Sequence, residues 1–286
     1  AVTRARRALG AQKAGHAGTL DPLATGVLAI ALGEATKTAA HAMEGAKTYR
    51  FTVRWGEARD TDDAEGDVLE TRAARPSPAE IDAALAGFRG VVMQRPPGFS
   101  AIKVDGARAY DLARAGAAPD LPARPIRIDA LELVETPDAD HAVLDMTCGK
   151  GGYVRAVARD LGAALGCLGH VRALRRVRAG PFRAEDAISF DLEGEFDDRE
   201  RLERALLPVA AGLDDIPAFE VDEGRAAQIA QGRAVPLTGA VLALGLSYGD
   251  AAWAACNGRP VALGVVKAGT FQPTRVLNLT DEDAAA

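Results

Sequence analysis

The sequence predicts an α+β protein. Three observations carry this: helical periodicity and period-two alternation occur in one chain, the two kinds of segment mix without strictly alternating, and no repeat recurs at solenoid spacing. The 286 residues, 48% of them hydrophobic, supply enough apolar surface for a sizeable core and for roughly two domains.

The elements follow from local chemistry. Residues 5–13 and 22–32 have alanine-rich or leucine-rich helical character, the second behind a Pro22 suited to a first helical turn, with a loop between them. Residues 49–55 (Tyr-Arg-Phe-Thr-Val-Arg-Trp) alternate large apolar and polar side chains, a half-buried strand that Gly56 ends. Ser77-Pro78-Ala79-Glu80 opens a helix running to Phe88, with serine as cap, proline in the first turn and Glu80 closing a capping box. Residues 94–106, with Arg95-Pro96-Pro97-Gly98 and an Asp105-Gly106 turn, read as an extended surface loop leading to a short helix at 110–115. Strands are expected at 126–134, 142–148 and 171–178, and a glycine turn at 149–152 introduces a helix at 154–165. A charged helix at 198–211 leads to Asp214-Asp215-Ile216-Pro217, the best domain boundary, after which a helix at 222–231 and small strands with glycine turns follow.

Composition excludes several classes. No stretch approaches the ~18 apolar residues of a membrane span, and the N-terminus lacks the basic start, apolar run and cleavage site of a signal peptide. Cys148, Cys167 and Cys256 are odd in number, far apart and free of CxxC spacing, which fits a reducing cytoplasm and no disulfide framework. His16, His41, His141 and His170 form no helical metal pair, and no metal is expected. A net charge of −6 argues against a nucleic-acid partner in sum, but not in distribution. Arg4, Arg6, Arg7 and Lys13 crowd the start, Arg172, Arg175, Arg176, Arg178 and Arg183 form a second basic run beside His170, and the acids gather at 60–67, 193–203 and 281–283. These arginines are either a binding face or a solvated surface.

The densest cluster is Gly15-His16-Ala17-Gly18-Thr19-Leu20-Asp21-Pro22-Leu23-Ala24-Thr25-Gly26-Val27-Leu28. Two glycines allow tight turns, and Asp21 stands just before a proline-started helix, either capping it or displayed at a loop end. Gly10 and Gly15 have phosphate-loop spacing, but His16-Ala17 replace the required lysine and hydroxyl residue. The acidic run from Asp60 fails as a calcium loop, having Glu65 at position six and Thr71 at position twelve.

This cluster, followed by Gly33-Glu34-Ala35-Thr36-Lys37, resembles the signature block of the TruB-type pseudouridine synthases. Lys47-Thr48-Tyr49, Asp60-Thr61-Asp62-Asp63-Ala64-Glu65-Gly66, Pro97-Gly98-Phe99-Ser100-Ala101-Ile102-Lys103 and Lys150-Gly151-Gly152-Tyr153-Val154-Arg155 agree in order and spacing across residues 5–180. The resemblance implies a catalytic domain over 1–213, with a mixed, largely antiparallel sheet flanked by helices, and a small, mostly β PUA-like RNA-binding domain over 214–286. Residues 91–125 would be a thumb loop that closes over the T arm. The implied reaction is isomerisation of uridine at position 55 in the tRNA T loop, without cofactor, metal or obligate protein partner, by a cytoplasmic monomer.

Residue by residue, the resemblance makes Asp21 the nucleophile, Arg155 the cation that keeps it ionised and oriented, and Tyr49 the ring stacked on the flipped base. His16 would fill the place of the flipped base, Tyr153 and Leu174 would line the uracil pocket, and Lys37, Lys150, Arg175 and Arg176 would contact phosphates. The acidic run at 60–67 is read as structural. Without the resemblance, Arg155 could equally be a phosphate contact, Tyr49 a core residue and His16 an ordinary loop histidine. Family members begin with an apolar strand and a Lys-Pro-x-Gly segment, so this chain, starting Ala1-Val2-Thr3, is expected to be truncated at its N-terminus. Two other readings are a tRNA-binding chaperone without catalysis and a guide-RNA-dependent relative acting on rRNA.

Overall fold

The computed structural model describes residues 1–100, 102–104, 106–114, 121–189, 199–237 and 244–279. Its helices are α1 (Val2–Ala8), α2 (Ala39–Glu44), α3 (Pro78–Leu85), α4 (Ala109–Arg114), α5 (Val154–Ala164), α6 (Arg199–Arg204) and α7 (Glu223–Ala230). Its strands are β1 (Ala14–His16), β2 (Ala24–Gly26), β3 (Ile30–Leu32), β4 (Lys47–Trp55), β5 (Glu57–Arg59), β6 (Val68–Thr71), β7 (Gly90–Gln94), β8 (Lys103–Val104), β9 (Ala107–Arg108), β10 (Arg124–Asp138), β11 (His141–Cys148), β12 (Gly169–Ala179), β13 (Phe182–Arg183), β14 (Ala218–Glu220), β15 (Val235–Pro236), β16 (Ala251–Cys256), β17 (Arg259–Lys267) and β18 (Thr270–Val276). Among the described residues, no helix is long and apolar enough to cross a membrane.

Two compact units divide the chain, one holding residues 1–19, 28–45 and 180–286, the other 20–27 and 46–179. The expected boundary at 213/214 falls within the first of these, because the 3₁₀ turn Val209–Leu213 packs on α2 and on the 3₁₀ turn Gly33–Lys37. In that unit a five-stranded sheet, ordered β14-β16-β17-β18-β15, carries α7. Its core comprises Phe219, Ile229, Val235, Ala254, Val266 and Phe271, the two phenyl rings meeting edge to face at 5.0 Å.

In the other unit the strands run β12-β4-β11-β10-β7, antiparallel throughout, and β2 joins β12 as the parallel exception. The alternation of β4 sends Phe51, Val53 and Trp55 into the core, where they meet Leu144, Met146, Leu161 and Leu174. Each such side chain contributes roughly 1.5–3 kcal/mol on full burial. Helices α3 and α5 cover this face, and Arg50, paired to Asp145 at 2.7 Å, stands on the other. The capping box of α3 forms as expected: Ser77 Oγ accepts from the Glu80 amide, and Glu80 accepts from the Ser77 amide at 2.7 Å. Helix α5 lies close on β12, since a Cβ at Gly162 would meet the Gly169 nitrogen at 2.3 Å.

Several expected elements differ. The helix expected over 5–13 is α1, ending at Ala8, because Gly10 turns to φ +63° and β1 follows. No helix forms over 22–32: residues 24–26 pair with Leu174–Arg176, and Gly26, at φ +97°, lies so close to the Arg176 carbonyl that a Cβ would sit 2.1 Å from it. Tertiary pairing overrides helix propensity there. The helix expected over 198–211 is α6 followed by the 3₁₀ turn, because Pro208 cannot continue a helix; residue 198 lies outside the described residues. Strand β7 was not expected. It and β10 hold the two ends of the 91–125 segment, which also contains the β8/β9 hairpin turned by Gly106 and the helix α4. Residues 101, 105 and 115–120 of that segment, and the acidic residues 281–283, lie outside the described residues.

Candidate active site

Asp21 stands just before β2, Tyr49 lies on β4 and Arg155 is in the first turn of α5; β2 and β4 both pair with β12, and α5 packs on β4 and β12. Asp21 does not cap a helix. Its carbonyl accepts from the Ala24 amide in a tight turn, 2.9 Å, and its carboxylate is gripped by Arg155: Nε to Oδ2 at 2.8 Å and Nη2 to Oδ1 at 3.1 Å. The two partners differ in exposure, 5% for the arginine side chain and 32% for the aspartate. A buried guanidinium thus fixes one edge of a carboxylate that remains open to an incoming group, and a bidentate fork sets its plane as well as its charge.

Arg155 is itself held on every side. Its Nη1 donates to the Thr61 carbonyl at 3.0 Å, its Nη2 to the Phe99 carbonyl at 2.9 Å, and the buried Asp63 carboxylate lies 3.6 Å from Nε. Asp63 in turn accepts from Thr61 Oγ1 at 2.6 Å and from the Glu65 amide at 3.0 Å. The acidic run read as structural from sequence therefore supplies the second carboxylate beside the arginine. The acid spacing alone carried no sign of this, because the contact crosses 92 positions of chain between Asp63 and Arg155.

Tyr49, on β4 opposite Arg176 of β12, is half-buried at the margin of the core. Burial pushes its phenol above the ordinary range and Cys148 adds to this, while Arg176, which hydrogen-bonds the hydroxyl, opposes it. At neutral pH the ring carries its proton. Leu174, 6% exposed, belongs to the core cluster and pairs with Phe51 and Ala24. Tyr153 precedes α5, its amide and carbonyl both clamped by the Gln94 side chain at 2.8 and 3.1 Å, with the Arg124 guanidinium 5.5 Å from its ring centre.

The expected phosphate contacts divide. Lys150, on the turn before α5, and Arg175 are exposed. Arg176 is not available: it is 1% exposed and donates Nε to the Val27 carbonyl at 2.9 Å, because strand alternation sends 175 outward and 176 into the core. Lys37 and His16 belong to the other unit. There the Lys37 ammonium is occupied by Glu34 at 2.7 Å and the Val276 carbonyl at 2.9 Å, and Glu34 also accepts from the Asn278 amide at 2.6 Å. His16 sits on β1 opposite Ile30, with a buried Nδ1 that has no partner among the described residues. No group of three or more histidine, cysteine or acidic residues that could hold a metal occurs among the described residues.

Residues 6–154 match the TruB family pseudouridylate synthase N-terminal domain, and residues 155–214 match the tRNA pseudouridylate synthase B C-terminal domain. The chain belongs to the TruB family of pseudouridylate synthases, and so to the isomerases. Curated relatives named tRNA pseudouridine synthase B include that of Cereibacter sphaeroides, 55% identical over 97% of this chain and 91% of its own. That of Caulobacter vibrioides is 52% identical over 98% and 92%. Among solved structures, a Cbf5-Nop10-Gar1 complex matches with a TM-score of 0.71 and 24% identity over 98% of this chain and 80% of that one. An H/ACA RNP bound to a substrate RNA containing 2′-deoxyuridine matches at 0.70 and 20%, over 96% and 80%. These two show a shared fold.

Proposed function

We propose that this enzyme isomerises uridine to pseudouridine at position 55 in the T loop of tRNA, with Asp21 as nucleophile. The observation that carries the reading is the carboxylate held in a bidentate fork by a buried arginine and open on its other side. The high identity to tRNA pseudouridine synthases B along nearly the whole chain supports tRNA as the substrate.

The chemistry asks for little else. The C1′–N1 bond breaks, the uracil turns, a C1′–C5 bond forms, and the C5 proton is lost as N1 gains one, so nothing is consumed. Asp21 supplies the electron pair that holds the detached fragment, and Arg155 keeps that pair in place and charged. Tyr49 faces the base as a protonated ring, with Tyr153 and Leu174 completing the pocket walls. Extrusion of the base from the T loop sacrifices a few kcal/mol of stacking, which His16 offsets by entering the vacated place. Lys150 and Arg175 meet the phosphate backbone, residues 91–125 close over the T arm, and the PUA-like residues 214–286 extend the RNA contact. Asp21, Tyr49 and Arg155 all come from one compact unit of one chain, which supports action as a monomer without an obligate protein partner.

The test is incubation with an unmodified tRNA transcript followed by pseudouridine mapping. The unaltered protein yields product at the T-loop uridine, and Asp21→Asn binds the tRNA and yields none. Product from the Asn variant would remove the nucleophile; tight binding without product from the unaltered protein would favour a chaperone.

A further inference from the structure

The second arginine of α5 has a place that the reaction as described does not use. Arg159 lies one turn after Arg155, on the same side of the helix. Its three donor groups reach three different partners: Nη1 the Asp62 carboxylate at 2.9 Å, Nη2 the Arg95 carbonyl at 2.8 Å, and Nε the Asp160 carboxylate at 2.8 Å. Arg155 makes a parallel set of bonds, to the Thr61 carbonyl in the same acidic loop and to the Phe99 carbonyl in the same proline-rich segment.

The two arginines therefore hold the same pair of loops at two points each. The acidic loop is gripped at Thr61 and Asp62, and the segment Arg95-Pro96-Pro97-Gly98-Phe99 is gripped at both its ends. The prolines between are buried. Fixing both ends of a short, stiff segment fixes the Phe99 carbonyl, and with it one of the acceptors that orient the Arg155 fork. Asp62 adds a sign that the pairing is not incidental: it takes a positive φ of 60° while its backbone carbonyl accepts from Val171 of β12 at 3.0 Å, so the loop is pinned on one side by the sheet and on the other by Arg159.

We propose that Arg159, through its bonds to Asp62 and Arg95, is a positioning residue for the isomerisation, setting the angle at which Arg155 presents Asp21. This rests on the function proposed above. A guanidinium is required because one side chain must donate in three directions, which a lysine ammonium on a flexible stem does not reproduce. Asp62 is faced by Arg159, Arg155 and Asp160, and burial pushes its carboxyl up to about 6 against the pull of the two arginines. Arg159 therefore keeps an ionised partner at neutral pH and loses it in mild acid.

The experiment measures single-turnover pseudouridine formation and tRNA affinity for the full chain, unaltered and as Arg159→Gln, Arg159→Lys, Asp62→Asn and the Asp62→Asn/Arg159→Gln double variant. Amide exchange across residues 95–100 is followed in parallel. A misplacement of the fork predicts a rate about tenfold or more lower for Arg159→Gln and Arg159→Lys, with tRNA affinity within about threefold. The double variant is no slower than the worse single one, as expected for groups acting together. The unaltered enzyme slows as pH falls through about 6, and Asp62→Asn lacks that limb. Exchange across 95–100 accelerates in every variant. Unchanged rates with a lowered melting temperature, or a loss of affinity equal to the loss of rate, overturn the proposal. Arg159→Lys retains the charge and is decisive if the glutamine variant does not fold. If the unaltered protein forms no pseudouridine, the function assigned above fails, and unchanged exchange at 95–100 in the variants then overturns the positioning role separately.

Discussion

Asp21 shows how a residue's role changes between sequence and structure. On its own, an aspartate before a proline reads first as a helix cap, and only the resemblance of the motif block points to a nucleophile. In the structure the helix is absent, and the carboxylate is matched instead to Arg155, 134 positions away. Arg176 moved the other way, from phosphate contact to buried support for Tyr49 and Val27. This yields a contrast between neighbours. Arg175→Ala should weaken tRNA binding and reduce the slope of log affinity against log salt by about one, with little change in melting temperature. Arg176→Ala should destabilise the fold by about 3 kcal/mol or more, since it leaves the Val27 carbonyl and Tyr49 without their buried donor. Equal salt slopes for the two variants would refute the division. Asp62 gives a pH prediction. Its folded-state value, raised to about 6, exceeds its unfolded value near 4, so its contribution to stability is fully present below about pH 4 and is lost as pH rises through about 6. Denaturation of the unaltered protein and Asp62→Asn at pH 4 and pH 7 should show the difference between them shifting by about 3 kcal/mol, against the unaltered protein at pH 7. A difference independent of pH would contradict it.

At the level of elements, local chemistry was most legible where a segment carries its own instructions. The capping box of α3 and the alternation of β4 needed no partner to be read. Ser77→Ala should lower stability by about 1 kcal/mol while leaving turnover unchanged, as urea titration and a tRNA assay would check. Elements that depend on a distant backbone were not legible. Helix character over 22–32 gave way because residues 24–26 complete the β12 edge, and β7 went unread because its ladder partner lies beyond a loop of more than two dozen residues. The contact of Gly162 with the Gly169 backbone belongs to the same kind. Gly162→Ala should move α5 off β12, lowering stability by about 1–3 kcal/mol and slowing turnover more than it weakens tRNA binding, because Arg155 rides on that helix. Unchanged stability would show that the helix can slide without penalty.

For the whole molecule, an acidic protein that handles an anionic polymer must do so with the placement of its cations rather than their number. Lys150 and Arg175 are exposed, while Lys37 is engaged by Glu34 and the end of β18. The chain's division into units also departs from linear order. The boundary at 213/214 followed the Asp214-Asp215-Ile216-Pro217 segment and the PUA-like resemblance of the residues after it, but the contacts of the turn at Val209–Leu213 with α2 tie 180–213 to residues 28–45. What the sequence determined by itself was the α+β class and the motif block, because the first rests on local periodicity and the second on residue types at fixed spacing; the block's family resemblance is what singled out Asp21, Tyr49 and Arg155 as a candidate set. What only the tertiary structure decided was the support around that set: Asp63 and the Thr61 and Phe99 carbonyls on Arg155, Arg176 turned inward, and Arg159 bridging two loops. The reason is physical. Backbone carbonyls carry no sequence signature, and hydrogen-bond geometry between distant segments exists only once sheet register and helix packing have brought them within 3 Å or so of one another.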